Sequence, residues 1–190
     1  MIKFLRTLLS CPIAMFCGIA GVSFFALFAA LYSEVVLDLQ PCPLCIYQRI
    51  PFLIGGVLGI IGLFLRQRPK IVDSIIGLAG LGFLVNSGIA FYHSGVERKW
   101  WESAVEGCNV NLDALLAPET EVSTQSILQD IMSAPTANCA EIPWEDPLLG
   151  LSMANYNVLL CFGIFVACVL SLLIRKTYGS GCVIEGATCD

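Results

Sequence analysis

The stretch CPIAMFCGIAGVSFFALFAALY, Cys11–Tyr32, decides the fold. It carries no charged side chain, and its length as a helix matches a hydrocarbon core of about 30 Å at about 1.5 Å per residue. Lipid offers the backbone no hydrogen-bond partners, so a run of this kind is read as helix. Lys3 and Arg6 precede it, as basic residues precede a secretory signal. The run is longer than a signal's apolar segment, however, and Ala29 and Ala30 lead into the bulky Leu31–Tyr32 pair instead of a cleavage site. The expectation is a retained first span.

Three more runs repeat the pattern: Ile46–Leu65, Ile71–Tyr92 and Leu151–Ile174. The chain is 57% hydrophobic and 13% charged, whereas soluble domains average roughly 45–50% and 25%. Much of its surface must therefore meet lipid. A net charge of −5 provides no basic footprint for nucleic acid. The expected fold class is an all-α membrane protein: a four-transmembrane-helix bundle spanning residues 1–176, with helices at about 11–32, 46–65, 71–92 and 151–174. Residues 93–150 form a long outer loop, and residues 177–190 form a cytoplasmic tail.

Orientation follows from the cations. Lys3 and Arg6, Arg66, Arg68 and Lys70, and Arg175 and Lys176 put seven of the ten Lys/Arg residues on the side that holds both termini. The positive-inside rule makes that side cytoplasmic. Segments 33–45 and 93–150 then face outward. Within the longer one, Ile127, Leu128, Ile131 and Met132 give Val122–Met132 one apolar helical face, the pattern of a short interfacial helix. Trp100, Trp101 and Trp144 suit the same boundary.

This topology sorts the ten cysteines. Cys42, Cys45, Cys108 and Cys139 lie outside, where disulfides persist. For Cys108 and Cys139, a structural bridge and an exchange pair are equally open. Cys11, Cys17, Cys161 and Cys168 lie within helices, where free cysteine packs as a small apolar residue. Cys182 and Cys189 stand in the tail as two reduced thiols, since a lone C-x6-C without histidine is a weak metal or lipid signal. No resident metal is expected.

The most specific signal is Gln40-Pro-Cys-Pro-Leu-Cys-Ile-Tyr-Gln-Arg49. Pro43 suits the first helical position, so Cys42 becomes the cap and Cys45 enters the first turn. There the helix dipole and free N–H groups favour a thiolate, the reactive form. Arg49 lies four residues on, sharing a face with Cys45. A guanidinium at that depth needs water, a counter-charge or a task. It can snorkel to the headgroups, or it can stabilise the Cys45 thiolate and polarise a carbonyl in the membrane. Pro51, deeper in, is expected to kink the helix.

Together these residues resemble the bacterial disulfide bond formation protein B family (DsbB). The resemblance rests on Pro41-Cys-Pro-Leu-Cys-Ile-Tyr-Gln-Arg49, Phe91-Tyr-His-Ser-Gly-Val-Glu97, Asn138-Cys-Ala-Glu-Ile-Pro-Trp144 and Gly150-Leu-Ser-Met-Ala154. It covers helix 1 to the end of helix 4. It implies a protein of the bacterial inner membrane, with periplasmic redox loops, that reoxidises a soluble thioredoxin-like oxidase (DsbA-like) and delivers the electrons to ubiquinone or menaquinone. It also implies that Cys108 forms the mixed disulfide with the partner, that Cys139 exchanges with Cys42, and that Cys45 is the thiolate next to the quinone. Arg49 matches the quinone-side arginine of the family, and His93 a histidine near that site. Gln48 stands where some relatives carry an acid, and the C-x30-C spacing and the tail are particular to this chain.

Two other readings predict different features. Reductases of the vitamin K epoxide type carry their reactive C-x-x-C late in the chain, whereas here it precedes helix 2. A scaffold with two inert disulfides leaves Arg49 without a task.

Overall fold

Three of the membrane helices begin at a proline. The computed structural model describes residues 2–105, 108, 138–178, 183–184 and 187–188. In it α1 is Ile2–Ser10, α2 Pro12–Val35, α3 Pro43–Phe64, α4 Pro69–Glu97 and α5 Met153–Tyr178. Cys11, Cys42 and Arg68 precede the prolines of α2, α3 and α4 and are all extended, with ψ of 116°, 165° and 93°. A proline ring disfavours the helical region for the residue before it, yet suits the first helical position. Each X-Pro step therefore ends one segment and starts the next.

The chain is an all-α membrane protein with four spans: α2, α3, α4 and Met153–Thr177 of α5. The helix ends depart from the expected ranges by a few residues in either direction, because apolar runs report lipid contact, whereas helices run from cap to cap. The largest shift is at α4, which continues past residue 92 to Glu97 and takes His93 out of the loop to which the sequence assigned it. The short α1 was not anticipated. The expected helix at 122–132 lies outside the described residues. In the tail, Val183–Ile184 pairs antiparallel with Ala187–Thr188; Cys182 and Cys189 lie outside the described residues.

Large apolar side chains cover the outer faces, including Phe25, Phe28, Phe64 and Leu159, each more than 60% exposed. An apolar exterior of this extent is the mark of a lipid-facing surface. Inside, Phe16, Ile19, Phe52, Val72, Ile76 and Phe83 form the core. The helices pack in series, α2 on α3, α3 on α4 and α4 on α5, while α2 and α5 barely touch. That leaves a gap between the first and last spans.

Glycines let α2 and α3 approach closely. A Cβ on Gly59 would lie 3.0 Å from Ala20 Cβ, Ala20 N and the Phe16 carbonyl oxygen, and one on Gly62 would enter the Phe16 ring. Small residues at such contacts drive helix association in lipid. Gly59→Leu should lower stability by about 1–3 kcal/mol, since the obstacle includes backbone and cannot swing aside. An unchanged melting temperature in detergent would contradict this packing.

At the opposite end from the long loop, Arg175 Nε donates to Asp73 Oδ1 at 2.7 Å and its Nη1 donates to the Ser10 carbonyl at 3.2 Å. Ser171 Oγ donates to the Leu9 carbonyl at 2.7 Å. These bonds fasten both the α1–α2 corner and the start of α4 to α5. Cys161 and Cys168 are free and buried, as expected of packing residues; Cys17 is free but exposed, and Cys11 is disulfide-bonded. Its sequence context, an apolar run, gave no sign of that.

Candidate functional site

The site is built on the N-terminus of α3. Cys42 is its cap: Cys42 Sγ accepts from the Cys45 backbone N–H at 3.3 Å, with Pro43 at the first helical position. The two thiols are free, and Cys42 Sγ donates to Cys45 Sγ at 3.0 Å. That bond, followed by burial, pushes the Cys42 thiol well above its ordinary range. Cys42 therefore stays protonated at neutral pH, with its thiol hydrogen directed at Cys45 Sγ.

Cys108 and Cys139 form a disulfide whose Cα atoms are 4.9 Å apart. Both are fully buried and share one cluster with Cys42, Leu44 and Val96, against which Cys45 and Tyr92 pack. The structure thus gathers Cys42, Cys45, Cys108 and Cys139, one pair closed and one open. Above them, Trp101 stacks on Tyr92 with the ring planes 13° apart and donates from Nε1 to the Tyr92 carbonyl at 3.1 Å. Trp101 also lies against Gly95, where any Cβ would strike its indole. Of the three tryptophans placed at the interface, Trp100 is the most exposed, at 60%.

His93 lies three residues before Val96 on α4, facing the same cluster. Its Nε2 is 3.5 Å from Cys42 Sγ and its Nδ1 is 2.9 Å from Gln48 Nε2. Gln48 Oε1 accepts from Asn157 Nδ2 at 2.5 Å, and Asn157 Oδ1 accepts from the Cys161 thiol at 3.1 Å. With that amide orientation Gln48 donates to Nδ1, so neutral His93 carries its proton on Nε2, toward Cys42. Asn86 Nδ2 donates to the Gln48 carbonyl at 3.2 Å, one residue after the Tyr47 carbonyl that Pro51 deprives of its donor. Helices α3, α4 and α5 are thereby joined by one polar chain.

On the other side of His93 lies Glu97, whose Oε1 is 3.7 Å from Nε2. The sequence put Glu97 in the outer loop at 93–150, but it is buried in the last turn of α4, where Ser152 Oγ donates to Oε2. Ser152 is presented by a tight turn: Gly150 N–H donates to the Asp146 carbonyl at 2.8 Å, with Gly150 at φ +60°. That region favours glycine. Tyr156 donates to Asp146 at 2.7 Å, which holds this exposed carboxyl below its usual range.

Arg49 has the counter-charge its depth requires. Its Nη1 donates to Glu34 Oε2 at 2.9 Å, and the two side chains are 24% and 22% exposed. Neither free snorkelling nor an unpaired task describes it. Nothing in the sequence linked Glu34, at the end of α2, to a residue fifteen positions later.

These groups line one end of a cleft of about 570 Å³ in the gap between α2 and α5. Cys42, Cys45, Arg49, His93 and Glu97 stand at the loop end, and Phe25, Ala26, Ala29, Ala30, Met153 and Leu160 supply apolar walls. Cavities of this size and mixture hold small molecules.

A four-span bundle with a free dithiol at the mouth of an apolar cleft, and a second cysteine pair packed on it, defines a membrane thiol–disulfide protein. The model of the disulfide bond formation protein DsbB family matches residues 13–171, and the chain belongs to that family. Among its relatives, the disulfide bond formation protein B of Dechloromonas aromatica is 33% identical over 153 residues, covering 75% of this chain and 81% of its own. The protein of the same name from Hahella chejuensis is 31% identical over 154 residues, 78% and 83% of the two chains. That of Acinetobacter baylyi is 30% identical over 162 residues, 83% and 86%.

Proposed function

We propose that this chain is a thiol:quinone oxidoreductase of the bacterial inner membrane, with both termini cytoplasmic. In this reading it reoxidises a periplasmic DsbA-like oxidase and passes the electrons to ubiquinone or menaquinone, supporting disulfide formation in exported proteins. The observation that carries the reading is the packing of the Cys108–Cys139 disulfide on the Cys42–Cys45 dithiol at the polar end of the cleft.

A partner thiolate attacks Cys108, forming a mixed disulfide and releasing Cys139 as a thiolate. The partner's second thiol then closes its own disulfide and releases Cys108. Cys139 attacks Cys42 of a closed Cys42–Cys45 pair and frees Cys45. Cys108 next attacks Cys139, re-forming the loop disulfide and freeing Cys42. One disulfide has moved outward and two electrons inward, with no net change in the loop. The arrangement described, loop pair closed and inner pair open, is the state after that transfer.

The cleft fits a quinone: apolar walls suit a ring and isoprenoid tail, and Arg49, Cys45 and His93 supply polar contacts at one end. A bound quinone would supply a two-electron, two-proton acceptor. Arg49 would hold a ring oxygen by a charge-assisted hydrogen bond, and its partner Glu34 fixes the guanidinium against the cleft wall. His93 holds a proton at Nε2 and can exchange it within the site.

The test is turnover. Purified chain given a reduced thioredoxin-like protein and a soluble quinone should consume both in a one-to-one ratio. Partner oxidation that proceeds equally well without quinone would overturn the proposal.

A further inference from the structure

We propose that the reduced site is also a capture site for a thiophilic divalent cation of the zinc type, held by Cys42, Cys45 and His93 and inhibitory when filled. Cys42 Sγ, Cys45 Sγ and a His93 ring nitrogen all lie within 4.8 Å of one another. Two thiols and an imidazole are the donors zinc prefers, and a C-x-x-C at a helix start is a common half of a zinc site. A tetrahedral zinc with bonds of about 2.3 Å to sulfur and 2.0 Å to nitrogen needs S···N near 3.5 Å and S···S near 3.8 Å. The observed Cys42 Sγ–His93 Nε2 separation is 3.5 Å and the S–S separation is 3.0 Å. The sulfurs must part by less than an ångström, and Cys45 Sγ, within 4.8 Å of the ring nitrogen, must settle at about 3.5 Å from it.

Two neighbours complete the setting. Glu97 Oε1 lies 3.7 Å from His93 Nε2 and puts a carboxyl group beside the imidazole. Gln48 controls the tautomer. For Nε2 to bind a cation, the ring proton moves to Nδ1, the Gln48 amide turns its oxygen to accept it, and the Asn157 amide turns with it so that its oxygen accepts from Gln48. The two thiol protons leave to solvent on binding, and no electron is transferred.

The consequence is a brake. Sulfur lone pairs committed to the cation cannot attack or accept a disulfide, so the filled site holds the inner pair reduced. The site needs only the Cys42–Cys45 dithiol and His93. Its failure would leave the quinone reading untouched, and it stands if that reading fails.

The experiment uses the full chain in detergent, reduced and freed of metal, and titrated with Co2+. Cys108 and Cys139 are replaced by alanine so that the loop thiols cannot contribute. One Co2+ per chain should bind with a sulfur-to-cobalt charge-transfer band, be displaced by Zn2+, and protect Cys42 and Cys45 from alkylation. His93→Gln should weaken binding at least about tenfold, and re-oxidised protein should show no band. Zinc X-ray absorption of the loaded protein, with His93 intact, should show two sulfur neighbours and at least one imidazole nitrogen. Absence of the band, a band equally strong in Cys45→Ser or His93→Gln, or a first shell without sulfur would each overturn the proposal.

Discussion

Cys45→Ser should lower quinone reduction at least about a thousandfold, the scale on which loss of a reacting nucleophile is felt. A hydroxyl occupies the same first turn of α3 but cannot close a disulfide with Cys42, so the inner pair has no oxidised form to hand outward. The loss should be chemical and not structural. Cys45 is half-buried at the rim of the cleft, and the cap itself is made by Cys42, whose sulfur accepts the residue-45 backbone N–H whatever the side chain. The Cys108–Cys139 disulfide and the melting temperature should therefore be retained. Cys17→Ser, at a free and exposed cysteine of α2, should leave turnover within about twofold, since exposed substitutions away from such features matter little. Full activity in Cys45→Ser would remove the inner pair from the reaction.

Cys108→Ala should separate the two halves of the relay. Oxidation of a reduced thioredoxin-like protein should fall at least about a hundredfold, because exchange with the partner needs the loop disulfide. Quinone reduction driven by a small dithiol such as dithiothreitol should stay within about threefold, because a small thiolate can reach the Cys42–Cys45 disulfide without the loop. The contrast depends on position. Cys108 and Cys139 sit on the open pair in one buried cluster, so alanine removes a sulfur and leaves the apolar contact largely in place. Equal loss with both reductants would mean that the bridge is structural, the alternative the sequence left open.

The spans were legible because lipid imposes a length and a composition that few other environments do. Cys42 as cap and Cys45 in the first turn were also legible, since Pro43 fixes the start of α3. The same logic at Pro12 and Pro69 would have corrected two more helix starts. The end of α4 was not legible, because Ser94-Gly-Val-Glu97 is mild in hydropathy and is helical through burial against Ser152 and Trp101. Apolar periodicity cannot see such packing. It also missed the polar chain His93–Gln48–Asn157 and the Glu34–Arg49 pair, whose partners come from different helices. Arg49's need for a counter-charge could be argued from its depth alone, but the identity of that charge required the fold.

The direct test of the relay is where a partner's electrons come to rest. Fully oxidised, quinone-free chain is mixed with one equivalent of reduced thioredoxin-like protein, acid-quenched and alkylated, and the labelled cysteines are mapped. The account predicts label on Cys42 and Cys45 with the Cys108–Cys139 disulfide intact, the state the structure holds. Label confined to Cys108 and Cys139, with Cys42 and Cys45 still bonded to each other, would contradict it.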